Sequence, residues 1–249
     1  MNGAPSPETE LVSCRALEVG HAGAALLPPI DVAIRAGEFW AVIGRNGSGK
    51  TSWLRTLLGL LPPVKGRVLP QNAAIKFAYL PQKSAIDEHY PLLAREVVGM
   101  GAQRGWSFLG RERAASRAEV ERALSEMGVT ALADRPFRQL SEGQKQRVLM
   151  ARIAASSADV AILDEPTSAM DAVAEREAFE HLGALRKRRP LAIVVVSHYL
   201  GLLREYADQA LLLDRDTPAV VVGSVEQVFG HDAFQRRYGD DSCGSRVSA

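Results

Sequence analysis

The sequence predicts an α/β fold in which parallel strands form a core flanked by helices, with a helical insertion between its two halves. Three observations carry this. Apolar runs at 39–43, 160–163, 191–196 and 210–213 have the unbroken hydrophobicity of strands buried on both faces, and the last three each follow a helical pattern. The first run leads into Gly44-Arg45-Asn46-Gly47-Ser48-Gly49-Lys50-Thr51, and a helical pattern follows it, which is the strand, glycine-rich loop, helix order of a phosphate cradle. From about residue 84 to 155 the pattern turns helical, with Val120, Ala123, Leu124 and Met127 on one stripe closed by Gly128.

In chain order, 11–17 and 30–34 read as strands, with turns at Pro28-Pro29 and Ala36-Gly37-Glu38. The strand at 39–43 feeds the glycine-rich loop. A helix begins near Lys50 and is expected to run to about Leu61, where Pro62-Pro63 stops it. Residues 74–80 read as a strand ended by Pro81-Gln82. The helical stretch comes next, and the three later strands complete the sheet. There is no internal repeat or low-complexity segment, and only the two ends read as disordered.

Composition narrows the function. The chain has 249 residues, of which 47% are apolar and 24% charged, enough for one well-buried core with a smaller lobe. A net charge of +1 gives no broad attraction for nucleic acid or anionic lipid. Cys14 and Cys243 lie far apart, which fits a reducing compartment without a disulfide framework. No apolar run reaches the length of a membrane span, and the first residues lack the basic and apolar regions of an export signal. The expected location is therefore the cytosol unless another component holds the chain at a membrane.

Two stretches carry phosphate chemistry. Gly44, Gly47 and Gly49 let the loop curl so that its N–H groups face phosphate oxygens, and Ser48 and Ser52 complete the cradle with Arg45 and Asn46. Lys50 would reach the β and γ phosphates of a nucleotide, and the Thr51 hydroxyl would ligate Mg²⁺. At the end of the run 160–163, Asp164 and Glu165 emerge where parallel sheets place their ligands. Asp164 suits Mg²⁺ held through water, and Glu165 suits polarising the water that attacks the γ phosphate. A third stretch, Leu140-Ser141-Glu142-Gly143-Gln144 followed by Lys145-Gln146-Arg147-Val148-Leu149, places Ser141 at a helix N-cap, with free N–H groups able to meet an anion.

Leu-Ser-Glu-Gly-Gln, together with the phosphate loop and the Asp164-Glu165 pair, resembles the signature set of ATP-binding cassette (ABC) proteins, and the resemblance runs from about Leu11 to Tyr238. It implies a RecA-like parallel sheet with helices, an N-terminal antiparallel β subdomain and a helical subdomain at about 84–155 inserted within a domain spanning 8–238, with 239–249 as a flexible tail. It implies ATP and Mg²⁺ as the bound species. Gln82 matches the glutamine that ligates Mg²⁺, and His198 matches the histidine that contacts the γ phosphate. Ser141, Glu142, Gly143, Gln144 and Asp171 match positions that reach across to the nucleotide of a second ATPase subunit, here expected to form a homodimer. Catalysis falls to Glu165 and His198.

Two positions depart from the family pattern. Glu142 stands where glycine is usual. A side chain pointing away from the phosphates leaves the site intact, whereas a carboxylate beside them would weaken binding; the first arrangement is expected, since Ser141 and Gly143 keep the contacting roles. The adenine-stacking aromatic is missing, and His21 is the best-placed candidate, an ordinary loop histidine being the alternative. The run 186–189 reads as solvated cations at a helix end before Pro190, not as a nucleic-acid patch. His89, His181 and His231 have no metal-ligand spacing.

The resemblance implies an ATPase that drives separate integral membrane permease subunits from the cytoplasmic face, with an exported substrate-binding protein if transport is inward. DNA-repair or translation ATPases of the family are the other class, but the long insertions or second cassette usual there are missing. The segment 79–101 is similar to that of ATPases serving zinc, manganese and iron-chelate importers, although Leu93-Ala94 departs from it. Metal-type import is the expectation, and another small solute is the alternative.

Overall fold

Strand β1 (Glu10–Glu18) leads through a small hairpin, β2 (Gly20–His21) and β3 (Ala24–Ala25), to β4 (Ile30–Arg35) and β5 (Phe39–Ile43). Helix α1 (Lys50–Leu57) follows, then β6 (Lys65–Pro70), β7 (Phe77–Leu80) and three helices, α2 (Ala94–Ala102), α3 (Gly110–Glu126) and α4 (Glu142–Ala155). The remainder alternates: β8 (Val160–Asp164), α5 (Ala172–Arg188), β9 (Ala192–Val196), α6 (Leu200–Tyr206), β10 (Gln209–Asp214), β11 (Ala219–Ser224), α7 (Val225–Gly230) and α8 (Asp232–Tyr238). This computed structural model describes residues 9–239 apart from 22, 83–85, 87–89 and 103–109, and only the backbone of 21 and 110–115.

Two sheets result. β4, β1 and β6 form an antiparallel sheet with β1 central, while a six-stranded sheet runs in the order β11-β10-β5-β9-β8-β7. All neighbours in the second are parallel except β10 and β11. Its central strands are covered on both sides because their two sets of alternating residues enter different cores. Ala41, Ile43, Leu163 and Val195 face the helices α2 to α8, whereas Trp40, Val42, Ile162 and Val194 face α1 and the antiparallel sheet. The stripe Val120, Ala123, Leu124, Met127 is buried as its spacing predicts, and Gly128 closes it at φ 64°.

The structure corrects several expected boundaries. Helix α1 ends at Leu57, not near Leu61, because Gly59 takes φ 71° and closes a Schellman turn in which Leu60 N–H bonds Arg55 O and Gly59 N–H bonds Thr56 O. The prolines lie beyond an end already made. β7 begins at Phe77 instead of 74, after a turn in which the Asn72 side chain accepts from Ala74 N–H. β6 and β11 were not expected. β6 is held by backbone pairing to β1 while most of its side chains are exposed, so it shows no alternation to read. The run 186–189 is also not simply solvated. Arg186 bonds Asp208, Arg188 bonds Glu126 at 2.7 Å, and Arg189 reaches the Ile153 and Ser156 carbonyls at the end of α4. Ile153 O also accepts from the Ser156 N–H and hydroxyl, and the cation adds to this closure at the negative end of the helix dipole.

Candidate functional site

β5 delivers the chain to Gly44 at the C-terminal edge of the sheet. A side chain could not be added there, since a Cβ would lie 2.4 Å from both Leu213 O and Ser48 Oγ; the loop therefore packs directly on the end of β10. Gly47 and Gly49 take φ of 78° and 101° before α1 starts. Lys50 is buried, and its Nζ donates to Gly44 O at 2.5 Å and Arg45 O at 2.9 Å, so the ammonium lies against its own loop. Burial lowers its pKa, and the nearby Glu165 and Asp164 carboxylates oppose that shift. The Ser48 hydroxyl is buried with no hydrogen-bond partner among the described residues. A buried hydroxyl and a buried ammonium on one cradle are the polar complement of an oxyanion, which fits a phosphate group. Arg45, Asn46 and Thr51 are exposed at the mouth, and Ser52 is half-buried one position into the helix.

β8 brings two carboxylates to this edge. Asp164 is buried and accepts a hydrogen bond from Thr51 Oγ1 at 3.3 Å. Burial pushes its pKa up, while the Thr51 hydroxyl pulls it down. Two hard oxygen donors at this spacing beside a phosphate cradle suit Mg²⁺. Glu165 adopts φ 52°, a left-handed conformation costly for a non-glycine residue, and its N–H bonds Val196 O at 3.0 Å. The strained backbone aims its carboxylate at two side chains: Gln82 Nε2 donates to Oε2 at 2.8 Å, and His198 Nε2 lies 3.0 Å from Oε1. Gln82 follows β7 and His198 follows β9, so three adjacent parallel strands place this trio.

The third stretch forms a separate cluster. Ser141 caps α4 in a full capping box, its hydroxyl accepting from Gln144 N–H at 3.3 Å and its own N–H bonding Gln144 Oε1 at 3.1 Å. The Glu142 carboxylate is held back along the helix by Lys145 at 2.8 Å. Gly143 packs beside the turn after Glu165, where a Cβ would meet Ala169 O at 3.2 Å. Asp171 ends that turn and caps α5 through Ala174 N–H at 2.8 Å. No hydrogen bond joins 141–144 to the phosphate loop among the described residues.

Other predicted positions lie apart or out of view. The His21 side chain, all of His89 and Cys243, and the tail 240–249 lie outside the described residues. His231 caps α8, and no group of metal-binding side chains forms among the described residues. Sequence reasoning missed two sets of contacts. Arg45 pairs with Asp216 at 3.6 Å, and Arg237 of α8 bonds Asp214 at 2.9 Å and Asp216 at 2.5 Å, tying the last helix to the strand end behind the phosphate loop. Thr167 Oγ1 donates to Glu175 Oε1 at 2.5 Å inside the protein. The second had a signal, a glutamate in the apolar stripe Glu175, Ala178, Phe179, Leu182.

Comparison with known proteins agrees with this geometry. The ABC transporter family model matches residues 27–168. The zinc transport system ATP-binding protein TroB of Treponema pallidum is 35% identical over 215 residues, covering 84% of this chain and 80% of its own. The zinc import ATP-binding protein ZnuC of Pseudomonas entomophila is 33% identical over 232 residues, covering 93% and 85%. Among solved structures, cbiO1 of Clostridium perfringens, part of the ABC transporter complex cbiONQ, superposes with a TM-score of 0.76 at 25% identity over 93% of this chain and 95% of that one. A bacterial Atm1-family ABC exporter with ATP bound shares the fold, with a TM-score of 0.77 at 22% identity, over 98% of this chain and 44% of that chain. The chain belongs to the ABC transporter family, as one of its ATP-hydrolysing subunits.

Proposed function

We propose that this ATPase drives import of a metal ion, zinc or manganese, or of a metal chelate, through separate integral membrane permease subunits. The names of TroB and ZnuC support the cargo class, as does the segment 79–101. No helix among the described residues is long and apolar enough to cross a membrane; the chain works as a peripheral subunit on the cytoplasmic face, with an exported binding protein delivering cargo to the far side.

The carrying observation is the Glu165 carboxylate held between Gln82 and His198 at the phosphate loop. On nucleotide binding, Lys50 exchanges its two carbonyl contacts for the β and γ phosphates, and the loop N–H groups from Gly44 to Thr51 close around them. Thr51, Asp164 and Gln82 would hold Mg²⁺, which when bound would supply charge to offset that building on the phosphate oxygens. Glu165 then takes a proton from the attacking water, and His198 orients that carboxylate and contacts the γ phosphate. A second copy supplies Ser141, Gly143, Gln144 and Asp171 to the same nucleotide, with its Glu142 kept aside by Lys145, so each copy alone hydrolyses poorly. His21 is the candidate stacking partner for adenine.

The test is Glu165→Gln. The amide keeps the shape and loses the base, so hydrolysis falls by about a thousandfold while ATP and Mg²⁺ convert the protein to a stable dimer on a sizing column. A monomer with unaltered turnover would show that these residues serve another mechanism. For the cargo, a strain lacking this chain should take up zinc or manganese poorly, and normal uptake of zinc, manganese and iron chelates would end the metal reading.

A further inference from the structure

The turn between β8 and α5 bears two of the residues on which that reading depends, Glu165 at its start and Asp171 at its end. Its backbone ties are few: Glu165 N–H to Val196 O, Ser168 N–H to Glu165 O at 3.3 Å, and Met170 N–H to Thr167 O at 3.0 Å. A turn that keeps Glu165 left-handed needs more than this to hold it. Thr167, at the middle of the turn, is 1% exposed, and its Oγ1 bonds Glu175 Oε1 at 2.5 Å; Glu175 is fully buried in the first turn of α5. An apolar residue would fill that stripe position at no desolvation cost. A carboxyl kept in such a place gains its standing from the partner it grips.

We propose that Glu175 is a positioning residue for hydrolysis. Through Thr167 it fastens the turn to α5, so that Glu165 stays against Gln82 and His198 while Asp171, stitched to the same helix by Ala174 N–H, faces the partner subunit. The two stitches hold the turn at its middle and at its end and make Glu165 and Asp171 one rigid unit. Approach of a second subunit at Asp171 and the placing of the attacking water at Glu165 are thereby mechanically linked. This rests on the proposed roles of Glu165 and Asp171.

The test uses Thr167→Val, which keeps the shape but removes the donor, Thr167→Ser, which keeps the donor, and Glu175→Gln, which keeps size and an acceptor but replaces the carboxyl with an amide. In the full-length protein, Thr167→Val should lower kcat about tenfold or more with KM for ATP within about twofold, because misplacing a reacting group costs rate before it costs binding. Thr167→Ser should restore kcat to within about twofold of the original, and Glu175→Gln should fall between. Adding Glu175→Leu to Thr167→Val should lower kcat no further, since both remove one contact. If Thr167→Val does not fold, Glu175→Gln carries the same kcat-against-KM comparison. Original kcat in Thr167→Val, or equal losses in the Val and Ser variants, would overturn the proposal. Glu165→Gln in the same assay separates the failures: if it is inactive while Thr167→Val is fully active, only the positioning role falls; if it is fully active, the mechanism itself falls.

Discussion

Asp164 lies at the end of a strand with almost no solvent around it, and burial pushes its carboxyl above the ordinary 3.8. A carboxyl with a raised folded pKa holds its proton more tightly in the folded chain than in the unfolded one. Its contribution to stability is complete below the ordinary value and is lost as pH rises through the raised one. The nucleotide-free fold therefore carries an ionic cost here at neutral pH, which Asp164→Asn should relieve while abolishing hydrolysis. Urea midpoints should show the variant more stable than the original near pH 7.5, with the gain shrinking as pH falls toward the ordinary carboxylate value; a gain independent of pH would exclude ionisation as the cause. At this scale the phosphate loop and the Asp164-Glu165 pair were legible from their residue types between a strand and its following turn, whereas Gln82 and His198 were legible only through resemblance to the family; the structure brings Gln82 and His198 onto Glu165. The left-handed backbone of Glu165 was not legible, since a glutamate gives no sign of positive φ. Nor was the grip of Lys145 on Glu142, which fixes the side-chain direction that sequence could only expect.

Elements are also joined by a few polar contacts at the margins of the apolar faces. Asp208 is one such joint: its Oδ2 accepts from Phe39 N–H at 2.8 Å and from Arg186, whose guanidinium also lies 5.7 Å from the Phe39 ring centre. The end of α5, the start of β5 and the approach to β10 meet there. Asp208→Ala would leave the Phe39 N–H without its acceptor and the Arg186 guanidinium with only Gly37 O and the Phe39 ring, and we expect it to cost about 1–3 kcal/mol of unfolding free energy without changing KM for ATP. Equal stability by chemical denaturation would show that water replaces the carboxylate. The sheet strands were legible from their unbroken apolar runs, since burial on both faces leaves no other composition. β6 was not legible, because an exposed edge strand takes its place from the backbone of β1 and leaves its side chains free to be polar.

Across the whole molecule, the chain's last described helix reaches back to the nucleotide edge through Arg237, Asp214, Asp216 and Arg45. We propose that the ATPase domain spans 8–238, with the helical part at about 84–155 inserted in it and 239–249 as a tail. Removing residues 240–249 should leave kcat within about twofold, since the residues of the candidate site all precede them, whereas a cut before Arg237 should lower thermal stability and nucleotide affinity together. A large loss of hydrolysis from the shorter cut would move the boundary. Whole-molecule order was legible as a parallel core with an insertion, because that follows from the sequence of patterns; the bracing of its first loop by its last helix was not, since nothing local in Arg45 or Arg237 names the other. The contacts of Lys50 with Gly44 O and Arg45 O bear on how the entire fold responds to heat. The resting protein already lodges that ammonium in a host of its own, so ATP enters by exchange. The rise in melting temperature on adding ATP will therefore report net binding, from which the two carbonyl contacts that Lys50 gives up have already been subtracted.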